Sequence, residues 1–189
     1  MMVAKAANAY RIPAVLRDLV MVDLLEITGS TTATAELLLV SQPSVSRRYR
    51  SLAQDLDLGR QCDAPVGRRY SDAPWVMQLR RGVNHHRLAR GCLRVGGAAG
   101  CAPLFHNTPW AQWVRIGRAQ LDHWPELLKM ELLDAVVLPQ DTGWTIADPD
   151  QVALVELRLR ERAPAWLVCR RDPLVLEVVR GITRRLEVS

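Results

Sequence analysis

The sequence has little of what secreted, metal-binding and membrane proteins depend on. Its four cysteines are Cys62, Cys92, Cys101 and Cys169, and no two of them form a C-x-x-C pair. This spacing predicts neither a structural zinc site nor a dense disulfide framework, and free thiols in a reducing compartment are expected. No apolar run approaches the ~20 residues of a membrane-spanning helix, and the N-terminus lacks the apolar core of a secretory signal. We therefore expect a cytoplasmic protein that does not enter a membrane.

Constellations of catalytic, metal-binding and nucleotide-binding residues are also missing. The serines near position 44 have no neighbouring His and Asp motif and the carboxylates are dispersed, so no enzyme activity is expected. The histidines have no carboxylate or cysteine at ligand spacing, which predicts no bound metal. Gly96, Gly97 and Gly100 lack the G-x-G-x-x-G spacing and the lysine of a phosphate-binding loop, and a tight turn is the better interpretation. No cofactor is expected.

What the chain has in excess is arginine. Its 189 residues carry 25 Lys+Arg against 20 Asp+Glu, a formal net charge of +5, and 49% of them are apolar. The apolar fraction is sufficient for a hydrophobic core. The basic excess is almost all arginine, whose planar fork of donors suits phosphate and base-edge contacts. The composition is compatible with nucleic-acid binding without requiring it.

Three successive helices are predicted over residues 13–56. The stretch "PAVLRDLVMVDLLEIT" has amphipathic helical spacing and ends at Gly29. Ser30 and Ser41 stand where the N-caps of two further helices belong, the first over "TTATAELLL" and the second reaching about Leu56. The last two helices are joined by a few residues and the last is polar and basic on its outer side, which predicts a helix-turn-helix.

A wing and a long helix are predicted next. Residues 57–70, "DLGRQCDAPVGRRY", contain turn formers and the paired Arg68 and Arg69, as a β-hairpin wing beside a recognition helix would. A linker helix is predicted over residues 72–91, with an apolar stripe formed by Trp75, Leu79, Val83 and His86. The remainder of its surface is expected to carry Arg80, Arg81, Arg87 and Arg90. A narrow stripe pairs with another helix, either from a second copy of the chain or from the same domain.

After residue 91 the pattern alternates between strands and helices. Strands are predicted in "CLRVGG", "AQWVRIGRA", "LDAVVLP" and "PAWLVCRR", and helices in "LDHWPELLKMEL" and "DPLVLEVVRGITRRLEV". Residues 139–150 are expected to form a turn-rich connection. This order predicts a small α/β lobe with a mostly parallel sheet. The predicted division is a winged helix-turn-helix over 1–71, a linker and dimerisation helix over 72–91 and a reduced α/β domain over 92–189.

The stretch "GSTTATAELLLVSQPSVSRRYRSL" resembles the winged helix-turn-helix of the LysR-type transcriptional regulators, which carries a run like G-S-x-T-x-A-A-x-x-L-x-V-S-Q-P-x-[VL]-S-x-x-[IY]-x-x-L. The matching residues are Gly29, Ser30, Thr32, Ala35, Leu38, Val40, Ser41, Gln42, Pro43, Val45, Ser46 and Leu52. The resemblance continues less strongly through the arginine pair at the wing tip, the linker helix and "LRVGG" as the first strand of an effector domain.

The resemblance also implies what this chain is expected to lack. In the family the inducer lies between two lobes of the effector domain and is held partly by Ser or Thr after the first strand. Here that loop offers Ala98 and Ala99, and the length leaves room for roughly one lobe. We therefore expect a regulator without a complete inducer cleft and without ordinary binding of a small-molecule effector.

DNA binding would assign roles along the third helix and the wing. Gln42, Ser44 and Arg47 are predicted to approach base edges in the major groove, where Gln can pair with adenine and Arg with guanine. The other predicted DNA-binding residues are Thr32, Ser41, Pro43, Ser46, Arg48, Arg50, Arg68 and Arg69. Most of these would contact phosphates or the minor groove and so position the protein. The alternative is a solvated basic helix face, but the agreement of serines, turn and arginines favours DNA.

The sequence therefore predicts a sequence-specific transcriptional regulator that binds double-stranded DNA as a homodimer or higher homo-oligomer. Two recognition helices ~34 Å apart would require a palindromic or near-palindromic site. The main alternative is a protein-interaction module that joins a full-length regulator and modifies its oligomer. A third possibility is a small-molecule sensor that uses the tryptophan-rich lobe.

Overall fold

The chain folds as two compact units. The computed structural model describes residues 11–70, 73–105, 108–140, 146, 149–157 and 165–186. Of these, residues 11–84 and 116–132 form one unit, here called the helical unit, and residues 85–115 and 133–186 belong to the other, the sheet unit. Residues 71 and 72 and most of the predicted connection over 139–150 lie outside the described residues. The division into 1–71, 72–91 and 92–189 stays a prediction.

The helical unit begins with the three helices that the sequence predicts. A 3-10 helix over Ala14–Leu16 leads into α1 (Arg17–Thr28), α2 (Thr31–Leu38) and α3 (Gln42–Asp55). Gly29 ends α1 with a left-handed φ of 64°, a conformation that glycine adopts without steric cost. The side chains of Ser30 and Ser41 each accept a hydrogen bond from the N–H three residues later. Both predicted N-caps are therefore confirmed.

The core of the helical unit draws on all three helices. It consists of the buried side chains of Met21, Val22, Leu25, Ala35, Val45 and Tyr70, with Leu38, Tyr49 and Leu52 packed against them. Val45, Tyr49 and Leu52 repeat at helical spacing on α3, so one side of that helix faces the core. The polar side of α3 is therefore directed away from this core.

The helix α1 is buried on all sides over its last nine residues, Val20–Thr28. Three of these are polar: Asp23, Glu26 and Thr28. Buried polar groups require hydrogen-bond partners. The guanidinium of Arg80 donates to Asp23 Oδ1 over 2.7 Å, and the hydroxyls of Thr28 and Thr34 are 3.0 Å apart. The Thr28–Thr34 contact is local, whereas the ion pair with Arg80 reaches a distant part of the sequence.

The prediction of a β-hairpin over residues 57–70 is wrong. This segment, here called the basic loop, is fully described and contains turns but no strand. One backbone hydrogen bond, from Gln61 N to Arg69 O over 2.8 Å, joins its two ends. Gly67 has a φ of 97°, which lies outside the strand region of backbone conformation.

The physical reason is a buried carboxylate on α1. Glu26 is 0% exposed. It accepts hydrogen bonds from Gly67 N over 3.1 Å and from Tyr70 N over 2.5 Å. A carboxylate removed from water is costly unless donors surround it. The backbone N–H groups that a hairpin would use between strands are thus used by Glu26.

The predicted linker helix is α4 (Pro74–Leu88), but two of its arginines are not on the surface as expected. Arg80 is 3% exposed and Arg87 is 0% exposed. Arg80 is held by Asp23 and by the carbonyl of Met130. The local sequence around Arg80 and Arg87 does not indicate burial, because their burial depends on carboxylates far away in the sequence.

The sheet unit contains a mixed sheet, which corrects the prediction of a mostly parallel one. Its strands are β1 (Leu93–Gly97), β2 (Ala111–Arg115), β3 (Ala135–Pro139), β4 (Val152–Leu157) and β5 (Ala165–Arg170), in the order β2-β1-β3-β5-β4. β1 runs parallel to β2 and β3, whereas β5 runs antiparallel to β3 and β4. The strand β4 was not predicted. Strand direction depends on the path of the connections, which residue patterns do not record.

Helices complete the two units. A 3-10 helix over Ala99–Phe105 follows β1, and α7 (Pro173–Leu186) follows β5. The short helices α5 (Arg118–Leu121) and α6 (Trp124–Lys129) come between β2 and β3 in sequence and belong to the helical unit. Within the described ranges, none of the helices is both long and apolar enough to cross a membrane.

One side of the sheet packs against the last helix. Alternate strand residues form the core, namely Leu93, Val95, Ala135, Val137, Leu167 and Cys169. Val175, Val179 and Ile182 of α7 join the same cluster. The core residues are two apart in the strands and four or three apart in the helix, as expected of a sheet covered by an amphipathic helix.

A single buried carboxylate connects four elements of the sheet unit. Asp134, immediately before β3, is 0% exposed. It accepts from Arg87 Nη1, from Arg94 N over 2.6 Å and from Arg170 Nη2 over 3.1 Å. Burial alone would raise the pKa of Asp134, but the charge and hydrogen bond of Arg87, the charge of Arg170 and the Arg94 N–H together lower it.

Replacing Asp134 with Asn should lower the free energy of unfolding by about 3–5 kcal/mol, because the buried guanidinium of Arg87 loses its counter-charge. Asp172→Asn is the matched control. Asp172 also lies beside Arg170, at 3.7 Å, but its side chain is 34% exposed. Asp172 Oδ1 caps α7 by accepting from Leu174 N over 2.9 Å and from Val175 N over 3.2 Å. Because Asn can still make this cap, the replacement should cost less than about 1 kcal/mol. Urea unfolding measures both, and equal losses would contradict the central role of Asp134.

Wild type and Asp134→Asn should also differ in how their free energy of unfolding depends on pH. A carboxylate whose pKa is lower in the folded protein stabilises it above the unfolded-state pKa, and this contribution is lost as the pH falls through the folded-state value. The stability difference between wild type and Asp134→Asn should therefore shrink as the pH is lowered below about 4. A constant difference down to strongly acidic pH would contradict the ionised state of Asp134.

Candidate nucleic-acid interface

The first two turns of α3 carry most of the predicted DNA-binding residues, and the structure places them at the surface. Gln42, Arg47, Arg48 and Arg50 are exposed, while Ser44 and Ser46 are half-buried. Val45, between the two serines, is 0% exposed. The apolar positions fix the helix against the core, so the polar positions must point elsewhere. The exposed face predicted for this helix is therefore present.

A hydrogen-bond network fixes the polar side chains at the start of α3. The Gln42 amide nitrogen donates to Thr31 Oγ1 over 3.0 Å and to Ser46 Oγ over 2.9 Å. The hydroxyls of Ser41 and Ser44 are 2.7 Å apart. These contacts connect the N-terminus of α2 with the first two turns of α3. They orient Gln42 before any ligand is present.

The remaining predicted residues around α3 differ in their surroundings. Thr32 on α2 and Pro43 in the first turn of α3 are exposed. Arg48 lies 3.6 Å from Asp18, with side chains 50% and 45% exposed. Such a surface ion pair contributes at most about 1 kcal/mol and is screened by salt. Arg48 can therefore exchange Asp18 for a phosphate at little cost.

The basic loop contributes further arginines. Arg68 is exposed, whereas Arg69 is half-buried and donates through Nε to Ala64 O over 3.4 Å. Arg60, which the sequence analysis did not select, is exposed, and its guanidinium lies 5.3 Å from the centre of the Tyr70 ring. Arg60 and Arg68 both line a surface depression of about 570 Å³. In the sequence Arg60 stands apart from the arginine pair, and its position beside the Tyr70 ring becomes apparent only in the structure.

The contact between two tyrosines joins α3 to the basic loop. The Tyr49 hydroxyl donates to Tyr70 O over 3.1 Å, and the two rings meet edge to face with centres 5.2 Å apart. Burial and the charges of Tyr70 and Glu26 raise the pKa of Tyr49, so it remains a neutral donor at neutral pH. The contact therefore fixes the end of the basic loop against α3.

The apolar stripe of α4 is only partly at the surface. Trp75 is 40% exposed and Leu79 is 44% exposed, whereas Val83 is 4% exposed. His86 is half-buried. Trp75 and Leu79 are four residues apart and so share a helix face. They form the part of the predicted oligomer interface that a partner could reach, and the interface itself stays a prediction.

Several tryptophans lie at the margin of the sheet core. Phe105 stacks on Trp113 with ring centres 4.9 Å apart and meets Trp110 edge to face at 5.5 Å. Trp110 and Trp113 are partly buried and pack against the core cluster of the sheet unit. Trp144 lies outside the described residues. Among the residues that the structure describes, no group of three or more His, Cys, Asp or Glu side chains could hold a metal ion.

Comparisons with known proteins give structural matches only. No protein-family model and no curated protein matches the chain. A full-length OxyR variant from Pseudomonas aeruginosa is 16% identical with a TM-score of 0.37, covering 78% of this chain and 55% of that one. HinK, a LysR family transcriptional regulator from the same organism, is 17% identical with a TM-score of 0.31, covering 75% and 51%. ArgP from Mycobacterium tuberculosis is 18% identical with a TM-score of 0.32, covering 74% and 51%. The chain spans about half the length of these solved structures.

The cysteine of the basic loop and those of the sheet unit should differ in thiol reactivity. Cys62 in the loop is exposed, whereas Cys92 and Cys169 are buried, and burial raises their pKa to about 11 and about 12. Because the thiolate is the reactive form, a thiol reagent at neutral pH should modify Cys62 and leave the buried pair unmodified until urea unfolds the chain. Peptide mass spectrometry of wild type and Cys62→Ser measures this. Rapid modification of Cys169 in the folded protein would contradict the sheet core.

Proposed function

We propose that the protein is a transcriptional regulator that binds double-stranded DNA through α3 and the basic loop. The observation that supports this best is the division of α3 into two sides. Its Val45 side is committed to the core, while Gln42, Arg47 and Arg50 are all exposed. A helix with a fixed apolar side and an exposed basic side at a helix-turn-helix junction is suited to the major groove.

The basic loop extends this surface for contact with the DNA backbone. Tyr49 and Tyr70 hold the loop against α3, and Arg60 and Arg68 are exposed on it. Arginine neutralises phosphates and releases condensed counterions, so each phosphate contact makes affinity more dependent on salt. In this proposal Arg48, Arg60 and Arg68 bind phosphates, whereas Gln42 and Arg47 approach base edges.

Arg47→Ala should weaken binding to the preferred duplex by about 1–3 kcal/mol, because a bidentate contact to guanine is lost. Arg90→Ala is the matched control, since Arg90 is also exposed but lies outside α3 and the basic loop. Fluorescence anisotropy with a labelled duplex from upstream of the gene and a scrambled duplex, over a salt series, measures both variants. The proposal predicts selective, salt-sensitive binding that only Arg47→Ala weakens. Equal binding of both duplexes, or no binding, would sink it.

A second candidate function rests on the exposed pair Trp75 and Leu79. Large apolar side chains that are 40% and 44% exposed on one helix face suit pairing with another helix. In the DNA-binding proposal the partner is a second copy of this chain, which gives a homodimer or higher homo-oligomer. In the alternative, the partner is a full-length regulator whose oligomer this chain modifies.

Replacing both Trp75 and Leu79 with Ser should weaken self-association at least about tenfold, because the apolar centre of the interface is removed. Gln78→Ser is the control, as Gln78 is exposed on the same helix. Sedimentation velocity over a concentration series measures the oligomer, and circular dichroism checks the fold. A wild-type protein that stays monomeric at all concentrations would contradict homo-oligomerisation and favour the alternative.

A further inference from the structure

The short helices α5 and α6 lie among the elements of the sheet unit in sequence but belong to the helical unit. Residues 116–132 come directly after β2 and end shortly before β3. They are nevertheless grouped with residues 11–84. Within the helical unit they contact the turn at Gly67 in the basic loop, the turn at Gly29 between α1 and α2, and α4. Each of these contacts involves a part of the unit that carries or supports the candidate interface.

The first contact is between α6 and the basic loop. A Cβ atom placed on Gly67 would lie 2.9 Å from Met130 Cγ and 3.6 Å from Leu132 Cδ1. The backbone of Gly67 is therefore in close contact with Met130, and only glycine fits there with its φ of 97°. Since Gly67 N also donates to Glu26 over 3.1 Å, the turn next to Arg68 is held from two directions.

The second contact is between α5 and the turn that joins α1 to α2. A Cβ atom on Gly29 would lie 2.7 Å from Gln120 Nε2 and 3.9 Å from Arg69 Nη1. Gln120 and Arg69 therefore meet at the same turn. Arg69 also donates to Ala64 O.

The third contact fixes the end of α6 to α4. Asn84 Nδ2 donates to Glu131 O over 2.7 Å, and Arg80 Nη1 donates to Met130 O over 3.2 Å. Arg81 Nε lies 2.9 Å from Glu131 Oε1. Glu131 has a left-handed φ of 57°, a conformation that costs energy in a residue other than glycine and is held here by these bonds. The backbone at Met130 and Glu131 is thus fixed by α4, while the Met130 side chain contacts Gly67.

From these contacts we propose that residues 116–132 are a positioning element of the nucleic-acid interface, with Met130 as the residue that sets the place of Arg68. This inference rests on the proposed DNA binding. The basic loop has no strand ladder. Backbone hydrogen bonds within its turns, such as Arg68 N to Pro65 O over 3.1 Å, fix part of its shape, and side-chain contacts add to them. Glu26 holds its backbone N–H groups and Met130 covers its turn. Arg68 then meets the phosphate backbone from a fixed position, which reduces the entropy lost on binding.

The test is a double-mutant cycle between Met130 and Arg68 in DNA binding. Met130→Ala should reduce affinity about fivefold and lower the salt slope by about one, as loss of one phosphate contact would. It should leave the preference for the selected duplex over the scrambled one unchanged. Met130→Leu, which keeps the volume, should bind like wild type. In an Arg68→Ala background, Met130→Ala should have no further effect, because both changes remove the same contact.

A second readout is independent of DNA. Met130→Ala should speed hydrogen exchange of the Gly67 amide, whereas Met130→Leu should not, with urea unfolding used to correct for global stability. Additive effects of Met130→Ala and Arg68→Ala on affinity, or unchanged exchange at Gly67, would overturn the positioning role. If wild type fails to select its duplex, the proposed function fails, and the exchange rates alone then decide whether Met130 positions the loop.

Discussion

The arrangement of the helical unit depends on charged groups inside a helix that has no exposed side over its last turns. Asp23 and Glu26 lie on α1 among apolar neighbours and are 3% and 0% exposed. Carboxyl groups so placed require hydrogen-bond donors, since burying an unsatisfied polar or charged group is costly. Asp23 takes Arg80 from α4, and Glu26 takes the N–H groups of Gly67 and Tyr70 from the basic loop. The linker helix and the loop are therefore located by two carboxylates of α1.

Local signals explain what the sequence could predict. N-caps, helix ends and apolar periodicity act over a few residues, and Ser30, Ser41 and Gly29 mark helix boundaries where the structure has them. The exposed face of α3 follows from the same reasoning, because Val45, Tyr49 and Leu52 determine which side is buried. Four of the strands could likewise be located from apolar runs bounded by turn residues.

Long-range pairing explains what could not be predicted. The basic loop contains the turn residues of a hairpin, yet Glu26, far away in sequence, takes its N–H groups. Arg87 has the sequence surroundings of a surface residue, yet Asp134 and Cys92 O hold it in the interior. The strand β4 lies at the sheet edge, where apolar and exposed positions mix, so its pattern is weak. One signal was available: Asp23 and Glu26 stand inside an apolar helical run, which indicates buried carboxylates in need of donors.

The geometry of α3 also changes what its polar residues can recognise. A bidentate contact from Gln42 to adenine uses both its amide nitrogen and its carbonyl oxygen. The nitrogen already donates to Thr31 Oγ1 and Ser46 Oγ, so this contact requires it to give up a bond that costs about 1 kcal/mol to break. Arg47 is exposed in the second turn and has five donors. In the proposed DNA binding, discrimination between bases is therefore expected to depend more on Arg47 than on Gln42, whose hydrogen bonds also join α2 to α3.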